Sequence, residues 1–230
     1  MAKIIQEIRS ALEFYEALGY ERLPIRLEAC SRNGVGGDRE TALRLLRENI
    51  GDCQRCKLSQ KRTHVVFGEG NPDARLMFIG EAPGREEDIQ ARPFVGEAGT
   101  LLTRLIEKMG LKREDVYIAN VVKCRPPLNR DPEKDEIAEC SGFLESQIDI
   151  IRPDVIMPLG RIAVFTLTGN DKLKITAIHG KVFDYKGIPL VPTFHPAYLI
   201  RNPKDKWLTW NDAQKVLDIL EHGYRTEGVD

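Results

Sequence analysis

RLMFIGEAPG, residues 75–84, decides the fold. Leu76 to Ile79 run without a polar break and stop at Gly80-Glu81-Ala82-Pro83-Gly84, a turn-forming exit. A strand with no polar alternation has no face for water, so it belongs inside a sheet covered on both sides. VYIANVVKC (116–124), VIMPLG (155–160) and PLVPTFH (189–195) have the same form. Helical patterns lie between them. Leu101, Leu102, Leu105, Ile106 and Met109 share one face, as do Ile137, Cys140, Leu144 and Ile148, behind a start at Asp131-Pro132-Glu133 with Asp131 as N-cap. A last helix, from about 205 to 220, turns Trp210, Ala213, Leu217 and Leu220 inward. Strands alternating with helices define an α/β fold with a parallel sheet, whose sites lie at the carboxyl ends of the strands.

Working outward, 230 residues hold one generous domain, or one domain with an extension. Residues 1–40 read as the extension: Ile4, Ile5, Ile8, Leu12, Tyr15 and Leu18 recur at helical spacing, and the glycine-rich SRNGVGGDRE (31–40) reads as a flexible joint. The main domain is expected over 41–230, opening with a short helix in TALRLLRENI. No stretch approaches the roughly 20 apolar residues of a membrane helix. Glu7, Arg9, Glu13 and Glu16 break up the N-terminus where a signal peptide keeps an apolar run. The chain thus reads as cytoplasmic, with reduced thiols. A net charge of −1 gives no basic footprint for a polyanion as a whole. Local runs differ: Arg55–Arg62 holds four basic residues and no acid, Lys123–Arg130 three and none, and Arg201–Lys206 three against one aspartate. Phosphate contacts depend on such local charge.

The strand ends gather chemistry on one edge. Beside GEAPG stand Asn120 through Cys124 and His195-Pro196-Ala197-Tyr198. GEAPG has neither the glycine spacing of a dinucleotide fingerprint nor the lysine of a P-loop. Taken alone it is a tight strand exit, and a lone His195 is a structural histidine. Asn120, inside an apolar strand, must either be locked in a network or displayed to a ligand. Cys53-x2-Cys56 is a ligand knuckle, and Cys124 and Cys140 form a more open second pair, leaving Cys30 over. Four thiols in two pairs point to a tetrathiolate site, and spacing leaves zinc and an iron–sulfur cluster both open.

GEAPGREED, RPFVGEAGTLL, NVVKCRPP with Cys140 sixteen positions after Cys124, and HPAYLIRNP, in this order between about Thr41 and Leu220, resemble the family 4 uracil-DNA glycosylases. The resemblance implies a three-layer α/β/α sandwich around a four-stranded parallel sheet, a [4Fe–4S] cluster on Cys53, Cys56, Cys124 and Cys140, and hydrolysis of the N-glycosidic bond of deoxyuridine in DNA. It implies that Asn120 reads the Watson–Crick edge of an extruded uracil, that Phe94 is its stacking platform, and that His195 donates to uracil O2. Gly80, Glu81 and Ala82 complete the pocket, with Glu81 beside the scissile bond. Ala82 stands where family 1 carries the aspartate that activates water, so leaving-group stabilisation is expected to dominate. Gly84 replaces the family 1 tyrosine that excludes thymine, and Glu87 is the residue expected to fill that gap. Leu199 resembles the wedge that holds the base out, with Ile200 beside it and Arg201 at the phosphates.

A monomer acting on single- or double-stranded uracil-containing DNA is the resulting expectation. Two rivals stand behind it, a family relative with altered base specificity and a non-catalytic iron–sulfur DNA-binding protein. Family 5 lacks the glutamate that Glu81 supplies, and CRPPLNRDPEKDEIAEC lacks the arginine-rich insert of the cross-linking relatives. A non-catalytic iron–sulfur protein that only binds DNA leaves the joint presence of Asn120, Phe94 and His195 unexplained.

Overall fold

The computed structural model describes residues 36–224. The amphipathic pattern of the first thirty residues and Cys30 lie outside the described residues. From Gly36 on, the chain forms one compact unit. Its sheet is built from β1 (Glu69–Gly70), β2 (Leu76–Gly80), β3 (Tyr117–Asn120), β4 (Val155–Pro158), β5 (Phe183–Tyr185) and β6 (Ile188–Leu190), in the order β1-β3-β2-β4-β6-β5.

This sheet is six-stranded and mixed, which corrects the expected four parallel strands. The four apolar runs do form its interior, β3-β2-β4-β6, paired in parallel. An antiparallel strand closes each edge. The reason is physical: edge strands are not buried on both faces and carry no continuous apolar run. β1 is two residues long, and Gly70, at φ 132°, lies so close to β3 that a Cβ would stand 2.0 Å from the Val116 carbonyl oxygen. β5 and β6 are a hairpin turned at Lys186-Gly187, both with positive φ (52° and 84°), the two-residue turn whose twist suits antiparallel strands.

The helices are α1 (Gly36–Ile50), α2 (Arg85–Gln90), α3 (Glu97–Lys108), α4 (Lys134–Ile151), α5 (Arg161–Thr168), α6 (Ile175–Ile178), α7 (Pro196–Arg201) and α8 (Lys206–His222). Side chains alternate along each inner strand, so Met77 and Ile79 join one core with Leu144, Ile148 and Ile162, from α4 and α5. Leu76 and Phe78 join the other, with Leu102 and Ile106 of α3 and Ala213 and Val216 of α8. Helices therefore cover both faces of the sheet.

Two boundaries move. Helix α1 begins inside the stretch expected as a joint, five residues before Thr41. The N-cap of α4 is Glu133 and not Asp131, because the Glu133 amide donates to the Glu136 carboxylate at 2.8 Å while Arg130 grips that carboxylate with both terminal nitrogens, at 2.8 and 2.6 Å. Asp131 is thereby freed to pair with Arg161 at 2.6 Å.

Candidate active site

The sheet register brings the first two motifs together. Gly80 and Asn120 are parallel partners at the last positions of β2 and β3. Pairing continues past them, with Val121 N–H donating to the Gly80 carbonyl at 2.9 Å and Val122 N–H to the Glu81 carbonyl at 3.1 Å. A Cβ on Gly80 would stand 2.4 Å from Asn120 Oδ1 and 2.4 Å from Phe94 Cζ. Glycine is therefore required for the amide and the ring to meet above it. Asn120 is 2% exposed, and its Oδ1 is the buried side-chain atom without a hydrogen-bond partner among the described residues. A buried acceptor with no protein partner needs one from elsewhere, a ligand or a water.

Phe94 sits at φ 51°. Its backbone is pressed against Gly99, where a Cβ would lie 2.0 Å from the Phe94 carbonyl oxygen. The same loop is held by Glu87, whose carboxylate accepts from the Val95 and Gly96 amides at 2.9 Å each and from the Gly84 amide at 3.1 Å. Glu87 thus ties the GEAPG turn to the RPFVG loop. Both of its oxygens are engaged, and these contacts lend its expected part in thymine exclusion no direct support.

His195 caps α7. Its Nδ1 accepts from the Ala197 amide at 3.2 Å, which puts the ring proton on Nε2. Burial, with Arg201 adding to it, lowers its pKa to about 4, against a smaller opposing pull from Glu87. The ring is therefore a neutral Nε2–H donor near pH 7. Its centroid is 5.8 Å from that of Phe94. Gly160, at φ 87°, lets the end of β4 approach, since a Cβ there would be 3.0 Å from that of His195.

Glu81 is partly buried, and Ala82 packs against the core formed with α4 and α5. Burial raises the Glu81 carboxyl to about 7; Asp131 raises it further and Arg161 opposes them. Asp131 and Arg161 are site neighbours that sequence reasoning missed, because the first looked like a helix cap and the second carries no motif.

The residues expected at the wedge differ in exposure. Leu199 is 3% exposed and lines an apolar cavity of about 200 Å³ between α3, α7 and α8. Ile200 is partly exposed and Arg201 exposed. The basic runs also separate. Lys57 bonds Glu133 and Asp135, Arg62 pairs with Asp52, and Arg130 with Glu136. Arg201, Lys204 and Lys206 make no ion pair among the described residues.

Cys53, Cys56, Cys124 and Cys140 line one small cavity together with Ile50, Val65 and Phe143. Among the described residues no three His, Cys, Asp or Glu side chains are set to hold a single metal ion. Two N–H donors point at sulfur: Arg62 at Cys124 Sγ, 3.5 Å away, and the Lys123 amide at Cys140 Sγ, 3.3 Å away. Lys123 itself is buried, and its ammonium donates to the Asn120 carbonyl at 2.8 Å and to Gln147 Oε1 at 2.6 Å. One residue therefore touches both the thiol cavity and the strand end that carries Asn120, a link no sequence signal announced.

Residues 67–217 match the family model described as the uracil DNA glycosylase superfamily, the class that this sheet edge defines. The chain is 51% identical to the type-4 uracil-DNA glycosylase of Thermotoga maritima over 80% of its own length and 97% of the relative's. It is 47% identical to that of Sulfurisphaera tokodaii over 77% and 84%. Identity to the type-5 uracil-DNA glycosylase of Thermus thermophilus is 32%, over 71% and 81%. The chain belongs to the type-4 uracil-DNA glycosylases, a family of glycosylase enzymes that act on uracil in DNA repair.

Proposed function

We propose that the protein hydrolyses the N-glycosidic bond of deoxyuridine in DNA through the site formed by Gly80, Glu81, Ala82, Phe94, Asn120 and His195, releasing uracil and leaving an abasic site. The observation that carries this reading is the unpartnered Asn120 Oδ1, buried at the strand end where Gly80 leaves room for both it and the Phe94 ring. An extruded uracil stacks on Phe94, presents N3–H to that oxygen and takes the amide N–H at O4. Cytosine presents the reverse pattern and leaves buried groups unpaired, the condition for strong rejection.

The C1′–N1 bond breaks with its electron pair going to uracil, so negative charge develops at O2 while the sugar becomes an oxocarbenium ion. His195 donates Nε2–H toward that oxygen. A donor held in place before the charge appears is the most effective form of such stabilisation. Glu81, once ionised, stabilises the sugar cation from beside the bond. Water then adds to C1′, and the proton it loses neutralises the departed uracil anion. Ala82 supplies no base, so bond breaking leads and water follows.

The wedge task passes from the buried Leu199 to Ile200, with Arg201, Lys204 and Lys206 at the phosphates. Glu87 borders the pocket as the clamp of the platform loop, and any part in excluding thymine goes through that clamp. The four cysteines suit a [4Fe–4S] cluster. N–H donors aimed at sulfur suit thiolates. A cluster held by Cys53, Cys56, Cys124 and Cys140 would tie the first knuckle to the loop after β3 and to α4, a structural role.

The test is a uracil-containing oligonucleotide incubated with protein and cleaved at abasic sites by alkali. Uracil release by the wild type, slowed in Asn120→Asp together with weaker discrimination against cytosine, and slowed strongly in His195→Ala, is expected. An enzyme with His195→Ala as fast as wild type overturns the leaving-group role.

A further inference from the structure

A buried polar network joins α8 to Thr193 and Phe194, the residues that lead into His195, and the hydrolysis itself does not use it. Thr193 prolongs β6: its amide donates to the Pro158 carbonyl at 3.0 Å and its carbonyl accepts from Gly160 N–H at 2.9 Å. Its hydroxyl leaves the sheet and donates to Asp212 Oδ2 at 2.7 Å, with the Thr209 hydroxyl 3.2 Å away. Asp212, 2% exposed, takes a second bond from His179, whose Nδ1 lies 3.1 Å from Oδ1. Against a carboxylate that nitrogen carries the proton.

Aromatic rings extend the same anchor. His179 packs on Phe194 with centroids 4.8 Å apart, and Phe194 stacks on Tyr198 at 5.1 Å. Tyr198 in turn donates its hydroxyl to Asp205 at 2.7 Å. Residues 193, 194 and 198 are thus fixed on both sides of His195, and two of the three attachments lead to Asp212. The carboxylate's own place is secured by Gly180, at φ 68°, where a Cβ would lie 2.4 Å from Asp212 Oδ1. Lys215 closes that corner by donating to the Gly180 carbonyl at 2.6 Å.

A buried carboxylate is costly unless fully bonded, and a plain core would serve stability as well. Two directional bonds, one of them to the residue two positions before a donor histidine, set a position that apolar packing does not. We propose that Asp212 is a positioning residue for uracil excision, acting through the Thr193 hydroxyl and the His179–Phe194 stack to aim the His195 imidazole at the leaving base. This inference rests on the reading of His195 as the leaving-group donor.

The experiment compares Thr193→Val, Thr193→Ser and Thr193→Ala with wild type, alone and in a His195→Ala background, by single-turnover uracil excision and thermal melting. Thr193→Val keeps the shape and deletes the hydroxyl, so the single-turnover rate constant is expected to fall about 10-fold with the half-saturating enzyme concentration unchanged, roughly the worth of one hydrogen bond. Thr193→Ser restores the bond and is expected within about 2-fold of wild type. Thr193→Ala repeats the loss of Thr193→Val and decides the matter if the valine variant does not fold. In the His195→Ala background the losses vanish, because the hydroxyl acts through the missing ring. Thr193→Val or Thr193→Ala at the wild-type rate, Thr193→Ser as slow as they are, or undiminished losses without His195 overturn the proposal. A fast His195→Ala enzyme instead overturns the reading of His195 itself.

Discussion

Asn120 Oδ1 stands 2.4 Å from the place a Cβ on Gly80 would occupy, across one rung of the parallel ladder between β2 and β3. Closeness of this kind makes the strand-end glycine a measure of the pocket. In Gly80→Ala the added methyl meets Asn120 and the Phe94 ring together. Overpacking costs about 1–3 kcal/mol of stability, and displacement of the base lowers kcat/KM about 100-fold. Denaturant unfolding and excision kinetics on one preparation measure both; wild-type kinetics in Gly80→Ala would show that uracil does not sit over β2.

Glu81 gives the pH dependence its sign. Its carboxyl is raised to about 7, chiefly by burial, so the free enzyme carries the supporting charge only above that pH. The value of kcat/KM is expected to rise through about pH 7 and then level off. Glu81→Gln removes this limb, Asp131→Asn shifts it to lower pH and Arg161→Met to higher pH. Stability moves oppositely: the contribution of Glu81 is complete below the unfolded carboxylate range and is lost as pH rises through about 7. The contribution of neutral His195 is complete above the ordinary histidine range and is lost as pH falls through about 4. Melting curves and rate profiles over this range check both signs.

Glu87 bonds three backbone amides, two of them in the platform loop. In Glu87→Ala, hydrogen exchange at Val95 and Gly96 is expected to quicken by about 10-fold or more, and uracil excision to slow as Phe94 loses its seat. Thymine excision, assayed alongside, reports whether the clamp also excludes the 5-methyl group. Unchanged exchange at these amides contradicts the clamp.

The thiol cavity makes a separate prediction. Iron and sulfide analysis of anaerobically purified protein is expected to give a [4Fe–4S] content and visible charge-transfer absorbance, both lost in Cys140→Ser. Because Lys123 touches both Cys140 and the Asn120 carbonyl, that variant is also expected to bind uracil-containing DNA more weakly. Stoichiometric zinc in the wild type refutes the cluster.

The inner sheet was legible because each of its strands is buried on both faces and so carries an uninterrupted apolar run, as Leu76–Ile79 shows. β1, β5 and the helical start at Gly36 were not, since an edge strand needs no such run and the glycines near residue 36 look like a joint. Lys186-Gly187 did carry a hairpin signal, but the flanking strands are only three residues each.

Within the site, motif residues were readable one by one: Gly80, Phe94, Asn120 and His195 do meet. Their supports were not. Asp131, Arg161, Thr193 and Asp212 pair across sequence separations that pattern reading does not span, and Lys123, though inside NVVKCRPP, carries no sign of being buried. Leu199 shows the opposite limit. A motif gives its identity, but the packing of α3 and α8 against α7 decides that it faces inward.

The positive φ of Phe94 narrows the routes open to descent. A side chain in the left-handed region costs about 1–3 kcal/mol and bars β-branched replacements. Gly99 beneath it admits no larger residue without disturbing the Phe94 carbonyl. A lineage drifting toward another damaged base therefore has little freedom at the platform. Its accessible steps lie at Asn120, proposed above to read the base edge, and at Glu87, which ties the loop down, so new specificity would come from the surroundings of the ring.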